Sequence, residues 1–173
     1  YRWETDADVG LQNSGGIRSG QALSGEVTVG DLISLIPFDE PLAVAELTGK
    51  ELREVFRQGE GTRLGFGEPD WWHAHLSGAT IEYDRASDTL ASATLNGEPL
   101  DSDRTYRVAL ADYLLHSDDE FPAVGMDHRV DTTRPQYEVL AAYARSEGLN
   151  PPVDGRILHV CTQRHPASDV VAE

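Results

Sequence analysis

The stretch Ala7-Asp8-Val9-Gly10-Leu11-Gln12-Asn13-Ser14-Gly15-Gly16-Ile17-Arg18 decides how this chain is read. Its first half is short and apolar, and its second half opens on Asn-Ser-Gly-Gly. That order predicts a buried strand over 7–12 running into a glycine turn. Paired glycines let a backbone come close to a ligand. The Asn13 amide offers both a donor and an acceptor, which suits a base or sugar edge. Arg18 adds a planar fork for phosphate or carboxylate. On spacing alone, the same residues fit a structural turn with a surface Arg equally well.

Strands and helices then follow without strict alternation. Glu26 to Val29 is a brief β-type run. Asp31 reads as an N-cap for a helix carrying Leu32, Ile33, Leu35 and Ile36 and stopped by Pro37. Pro41 to Leu47 reads as a strand. Thr48 and Glu51 form a capping-box pattern ahead of Leu52, Val55 and Phe56 on one helical face. Gly59 to Asp70 is glycine-rich and reads as a loop. Ala79–Asp84 and Thr89–Leu95 are meander strands, and Asn96-Gly97 is a hairpin turn. Tyr106 to Ala111 is a further strand. Gln136 to Glu147 is a helix ended by Gly148 and Pro151-Pro152, and Arg156 to Val160 is a last strand. The pattern favours a layered α+β domain over 1–160, with a polar tail over 161–173. A doubly wound sheet would alternate more strictly.

Charge is the unusual number. Thirty Asp and Glu face fourteen Lys and Arg, for a net charge of -16, and Lys50 is the only lysine. That balance argues against nonspecific nucleic-acid binding, which rests on neutralising phosphates, and against an anionic membrane surface. No apolar run approaches the ~20 residues of a membrane span. The carboxylates are scattered and form no tail-like block. Spread acidity with almost no Lys reads as adaptation to high salt, of the kind found in a halophilic archaeon. Cys161 is the only cysteine, so no internal disulfide forms. The start at Tyr1 is no signal peptide and lacks an initiator Met, so the chain reads as a piece of a longer protein.

The segments ADVGLQNSGGIR, GEVTVGDLISLIPFDEPLAVAELTGKEL, LSGATIEYD, LNGEPLDSDRTYRVALADYLL and GRI together resemble the C-terminal domain of the 5′-nucleotidase family. The resemblance runs from about Ala7 to Val160 in the family's order. It implies a layered mixed-sheet domain that follows a metallophosphoesterase domain in cis and recognises a nucleotide or nucleoside. The two divalent metal ions it implies would lie in that preceding domain, so no cofactor is expected here. Asn13 and Gly16 match the residues that line the family's nucleotide pocket. Arg18 matches the phosphate-holding Arg. Phe38 and Tyr113 match the two aromatics that sandwich the base, and Asp119 matches the ribose acceptor. Phe38 after Pro37 also fits a core position, and Tyr113 also fits a packed strand edge.

One segment departs from the family. Its Gly-Gly-Asp-Gly is here part of His116-Ser117-Asp118-Asp119-Glu120-Phe121. Without those glycines the family's tight backbone path is harder to adopt, and either Asp118 or Asp119 fits the sugar-acceptor role. The added Tyr113 hydroxyl needs a partner. The implied function is recognition of a phosphomonoester that the whole enzyme hydrolyses to nucleoside and phosphate, with this piece alone inactive. The same architecture acting on nucleotide-sugars, cyclic nucleotides or a sulfur ester stays open, as does a stand-alone binding module. The family mostly works outside the cytoplasm. His73-x-His75 reads as a loop or strand-edge feature, because no third metal ligand has a clear spacing. His116 is a weaker candidate for a base or sugar contact.

Overall fold

A strand such as Pro41 to Leu47, apolar without alternation, needs cover on both faces. The computed structural model, which describes residues 1–18, 23–59, 73–150 and 154–160, provides it. In chain order the elements are α1 (Arg2–Thr5), β1 (Val9–Asn13), α2 (Val29–Leu35), β2 (Pro41–Thr48), α3 (Gly49–Gln58), β3 (Ala74–Ser77), β4 (Ala79–Asp84), β5 (Thr89–Leu95), β6 (Glu98–Pro99), β7 (Thr105–Ala111), β8 (Arg129–Pro135), α4 (Gln136–Glu147) and β9 (Ile157–Val160). One sheet has the order β3-β1-β7-β2-β8 and the other β6-β5-β4-β9. Each is mixed: β1 runs parallel to β7 and β4 parallel to β9, while the other pairs are antiparallel. The layered α+β class holds.

Alternation along β2 and β7 divides the core. Ala43, Ala45, Leu47, Val108 and Leu110 face α3 and the second sheet, where they join Leu52, Val55, Phe56, Ile81 and Tyr83. Leu42 and Ala109 face the other way and pack with Ala7 and with Val139 of α4. Each strand therefore contributes to two layers.

Local chemistry sets the helix starts. The Thr48 backbone N–H donates to Glu51 Oε2 at 2.8 Å and the Glu51 N–H donates to Thr48 Oγ1 at 3.3 Å, the expected reciprocal cap of α3. An equivalent pair, Thr28 and Asp31 at 2.8 and 3.3 Å, caps α2. That corrects two expectations. Thr28 is the N-cap and Asp31 its partner in the first turn, so Val29 is helical and the run 26–29 is no strand. The Asn96-Gly97 turn forms as read, with φ of +50° and +85°, the left-handed pair that a tight two-residue hairpin requires.

Two strands were not anticipated. β3 pairs with β1, and β8 forms an exposed edge against β2. The expected loop from Gly59 to Asp70 beyond its first residue, the Pro151-Pro152 stop and the tail from Cys161 lie outside the described residues. Among the described residues no helix is long and apolar enough to cross a membrane.

Candidate functional site

β1 and β7 lie side by side and parallel, so their C-terminal ends emerge together, next to the start of antiparallel β2. A cavity of about 410 Å³ opens there, within the range of small-molecule sites. Asn13 closes β1. A 3-10 turn over Ser14–Gly16 follows, and the Arg18 backbone N–H donates to the Leu35 carbonyl at 2.9 Å. Phe38 and Glu40 come from the link between α2 and β2. Tyr113 rides a 3-10 turn after β7, and Gln136 opens α4, its N–H donating to the Glu40 carbonyl at 3.1 Å.

Five of the six residues singled out from the sequence line this cavity: Asn13, Gly16, Arg18, Phe38 and Tyr113. Neither ring is a core residue. Phe38 is half-buried, and Tyr113 is 46% exposed. The Arg18 guanidinium sits 5.0 Å from the Phe38 ring centroid, a cation–π arrangement. Among the described lining residues it is the only cation.

Asp119 is not among the lining residues. It stands exposed on the bend between the Tyr113 turn and Phe121, as does Asp118. In this segment the residue that lines the cavity is the next one, Glu120. The bend has a clear cause. The Glu120 N–H donates to Ser117 Oγ at 3.0 Å, and Phe121 takes φ +50° and is fully buried. The left-handed conformation that the missing glycines would have eased thus falls on Phe121. Such a φ costs a bulky residue about 1–3 kcal/mol, offset here by burial of the whole ring.

Glu120 anchors a polar network. Asn13 Nδ2 donates to Glu120 Oε2 at 2.8 Å, His73 Nε2 lies 2.7 Å from the same oxygen, and the Tyr113 hydroxyl donates to Oε1 at 3.3 Å. The Tyr113 hydroxyl has therefore found its partner. His73 is 1% exposed, contacts Ser14 Oγ at 3.1 Å through Nδ1 and stacks on Phe121 at 5.4 Å. Burial alone pushes the Glu120 carboxyl up. Hydrogen bonds from His73, Asn13 and Tyr113, with the His73 charge, outweigh it and hold the group below the ordinary range.

A second layer holds Asn13. Gln12 Nε2 donates to Asn13 Oδ1 at 2.9 Å. The Tyr1 hydroxyl lies 2.6 Å from an amide oxygen of Gln12 and of Gln136, and with its single proton it donates to one of them. Burial pushes that phenol well above its usual range. Gly16 is required by this packing, since a Cβ there would lie 2.2 Å from Gln12 Nε2 and 2.5 Å from Asn13 Oδ1.

Sequence reasoning missed Glu120, His73, Gln12 and Gln136. His73 directly precedes the edge strand β3 and supports the site from there, whereas His75 within β3 is exposed. His116 is also exposed, with Nε2 3.3 Å from Asp112 Oδ2, and does not line the cavity. Among the described residues no group of three or more His, Cys, Asp or Glu is placed to hold a metal ion.

Residues 1–126 match the family described as "5'-nucleotidase, C-terminal domain", and the chain belongs to that family. It is 31% identical over 168 residues to an apyrase from Tabanus yao, covering 88% of this chain and 30% of the apyrase. It is 29% identical over 176 residues to a trifunctional nucleotide phosphoesterase protein of Bacillus subtilis, covering 89% of this chain and 11% of that protein. The crystal structure of a 5'-nucleotidase precursor from Thermus thermophilus shares the fold, with a TM-score of 0.78, 24% identity, and coverage of 94% and 33% of the two chains. The chain thus spans a third or less of the length of these relatives.

Proposed function

We propose that this chain recognises the substrate for a longer, metal-dependent phosphoesterase that hydrolyses nucleotide phosphomonoesters to nucleoside and phosphate. The observation that carries this reading is the meeting of Asn13, Gly16, Arg18, Phe38 and Tyr113 around one cavity, in a chain of the 5'-nucleotidase C-terminal domain family.

The roles follow from chemistry. Phe38 and Tyr113 offer ring faces to a base, and stacking is worth about 1–3 kcal/mol per base with little regard to its identity. The Asn13 carbonyl and amine are already turned toward Gln12 and Glu120, so the amide is pre-oriented and cannot flip freely. Arg18, beside the Phe38 ring, offers a guanidinium to the phosphate. The described residues do not form a metal site. In this proposal the divalent ions and the attacking water belong to a preceding domain of the same polypeptide. This domain contributes binding and orientation, which reduce the entropy cost of reaching the reactive geometry.

Calorimetry with AMP, adenosine and UDP-glucose tests the reading. AMP should bind best, and Phe38→Ala and Tyr113→Ala should each weaken adenosine by about 5- to 100-fold, the loss of one stacking face. If neither substitution changes the affinity, the assignment of the rings is wrong. The chain alone should release no phosphate from AMP with Mg²⁺ or Mn²⁺, and clear turnover by a pure sample would reject the division of labour.

A further inference from the structure

Glu120 faces the cavity, yet neither the ring stack nor the guanidinium accounts for it. The residue is 8% exposed and its two oxygens are engaged unequally. Oε2 takes bonds from Asn13 at 2.8 Å and from His73 at 2.7 Å, which use its acceptor capacity. Oε1 takes only the long 3.3 Å bond from Tyr113 among the described residues. One acceptor position on Oε1 therefore stays open beside a ring that itself lines the cavity.

The carboxylate is also held in place. His73 Nε2 donates to Glu120, and its Nδ1 is hydrogen-bonded to the Ser14 hydroxyl 3.1 Å away, so both ring nitrogens are engaged. The imidazole is clamped by its stack on Phe121. Swinging Glu120 out of the cavity would strand buried polar groups on Asn13 and His73, which is costly. A fixed, ionised carboxylate accepts and cannot donate. It favours a ligand atom bearing hydrogen and penalises a carbonyl or ring nitrogen in the same place.

We propose that Glu120 is a specificity-determining residue whose Oε1 accepts one N–H or O–H from the bound nucleoside. The donor is either the amino group of the base or a ribose hydroxyl, which share this chemistry. The inference rests on the nucleotide reading above and deepens it.

The test is calorimetry of the 173-residue chain with adenosine, purine riboside, 2′-deoxyadenosine and 3′-deoxyadenosine, repeated with Glu120→Gln. Wild type should bind at least one analogue about 10-fold or more weakly than adenosine, as loss of a hydrogen bond to a charged group implies. The analogue affected identifies the source, amino group or sugar hydroxyl. In Glu120→Gln that ratio should collapse toward one. Glu120→Asp, which withdraws the oxygens by one carbon, serves the same comparison if the Gln variant does not fold. Adenosine binding with all analogue ratios near one, or with ratios unchanged in the variant, overturns the role of Glu120 and leaves the nucleotide reading standing. Failure of adenosine, AMP and UDP-glucose alike to bind overturns both.

Discussion

Gly16→Ala is the sharpest perturbation of this site, because its consequence can be worked out atom by atom. The new methyl would lie 2.2 Å from Gln12 Nε2 and 2.5 Å from Asn13 Oδ1. Both distances are well inside van der Waals contact, so both side chains must move. Both are ends of side chains and not backbone, so the fold survives. Moving Gln12 breaks its 2.9 Å bond to Asn13, a neutral bond worth about 1 kcal/mol. Moving Asn13 breaks or stretches its 2.8 Å bond to Glu120, a bond to a charged group worth about 1.5–3 kcal/mol. The expected loss of stability is about 2–3 kcal/mol, below the full sum because water reaches the half-buried Gln12 and compensates part of it. Urea unfolding should show a lower midpoint at unchanged slope. Adenosine binding should fall as well, because the amide that meets the ligand in the proposed role has turned. The effect should be non-additive with Asn13→Ala, since both changes remove the same contact. A stability change under about 0.5 kcal/mol, the range of ordinary surface substitutions, would refute the reasoning. So would full additivity of the two substitutions.

Two further outcomes can be checked on the same protein. With a net charge of -16, stability should rise from 0.1 M to 1 M KCl as the screening length drops from about 10 to about 3 Å; equal unfolding midpoints would sink the salt-adaptation reading. In acid the sign is fixed by Glu120, Asp31 and Glu51, all held below the ordinary carboxyl range in the folded chain: Glu120 by bonds that overcome its burial, the other two by their Thr caps. Their contribution is fully present above the unfolded values of about 4 and is lost as pH falls through the lower folded values. Thermal midpoints from pH 6 to 3 should therefore fall less steeply in Glu120→Gln than in wild type, and parallel curves would contradict the assignment.

What could be read from the sequence follows the range of the interactions. The caps at Thr28 and Thr48, the Asn96-Gly97 turn and the helix over 136–147 rest on residues a few positions apart. They were legible as chemistry, although Thr28 had to displace Asp31 as the N-cap. β8 was not legible. Arg129–Pro135 has no apolar alternation, is mostly exposed, and exists because β2 offers a partner. β3 is a four-residue strand whose warrant is likewise its pairing with β1. In the site, Asn13, Gly16 and Arg18 belong to one local motif and could be read together. Glu120 could not, because its partners Asn13 and His73 are 107 and 47 residues away. Nothing local distinguishes it from Asp118 and Asp119. The difference arises at Phe121, whose left-handed φ and buried ring turn Glu120 inward.

In the proposed role an acidic domain takes an anionic substrate, and two opposed fields that differ in reach then act on it. The repulsion comes from thirty carboxylates distributed over the chain and acts over many ångströms, so salt removes it efficiently. The attraction comes from Arg18 at the cavity and acts at hydrogen-bond distance, where screening is weaker. Among the described lining residues Glu40 and Glu120 outnumber that one cation, so on the proposed reading a phosphate lies toward Arg18 and the donor groups toward Glu120. It follows that the affinity ratio of AMP to adenosine should rise with KCl, because salt relieves the repulsion felt by the phosphate more than it weakens the contact with Arg18. An ordinary basic phosphate site behaves in the opposite way. Calorimetry of both ligands between 0.1 and 3 M KCl, with Arg18→Gln alongside, measures it. A ratio that falls with salt in wild type would mean that the local cation dominates the field and that the acidic surface plays no part in selecting the conditions of binding.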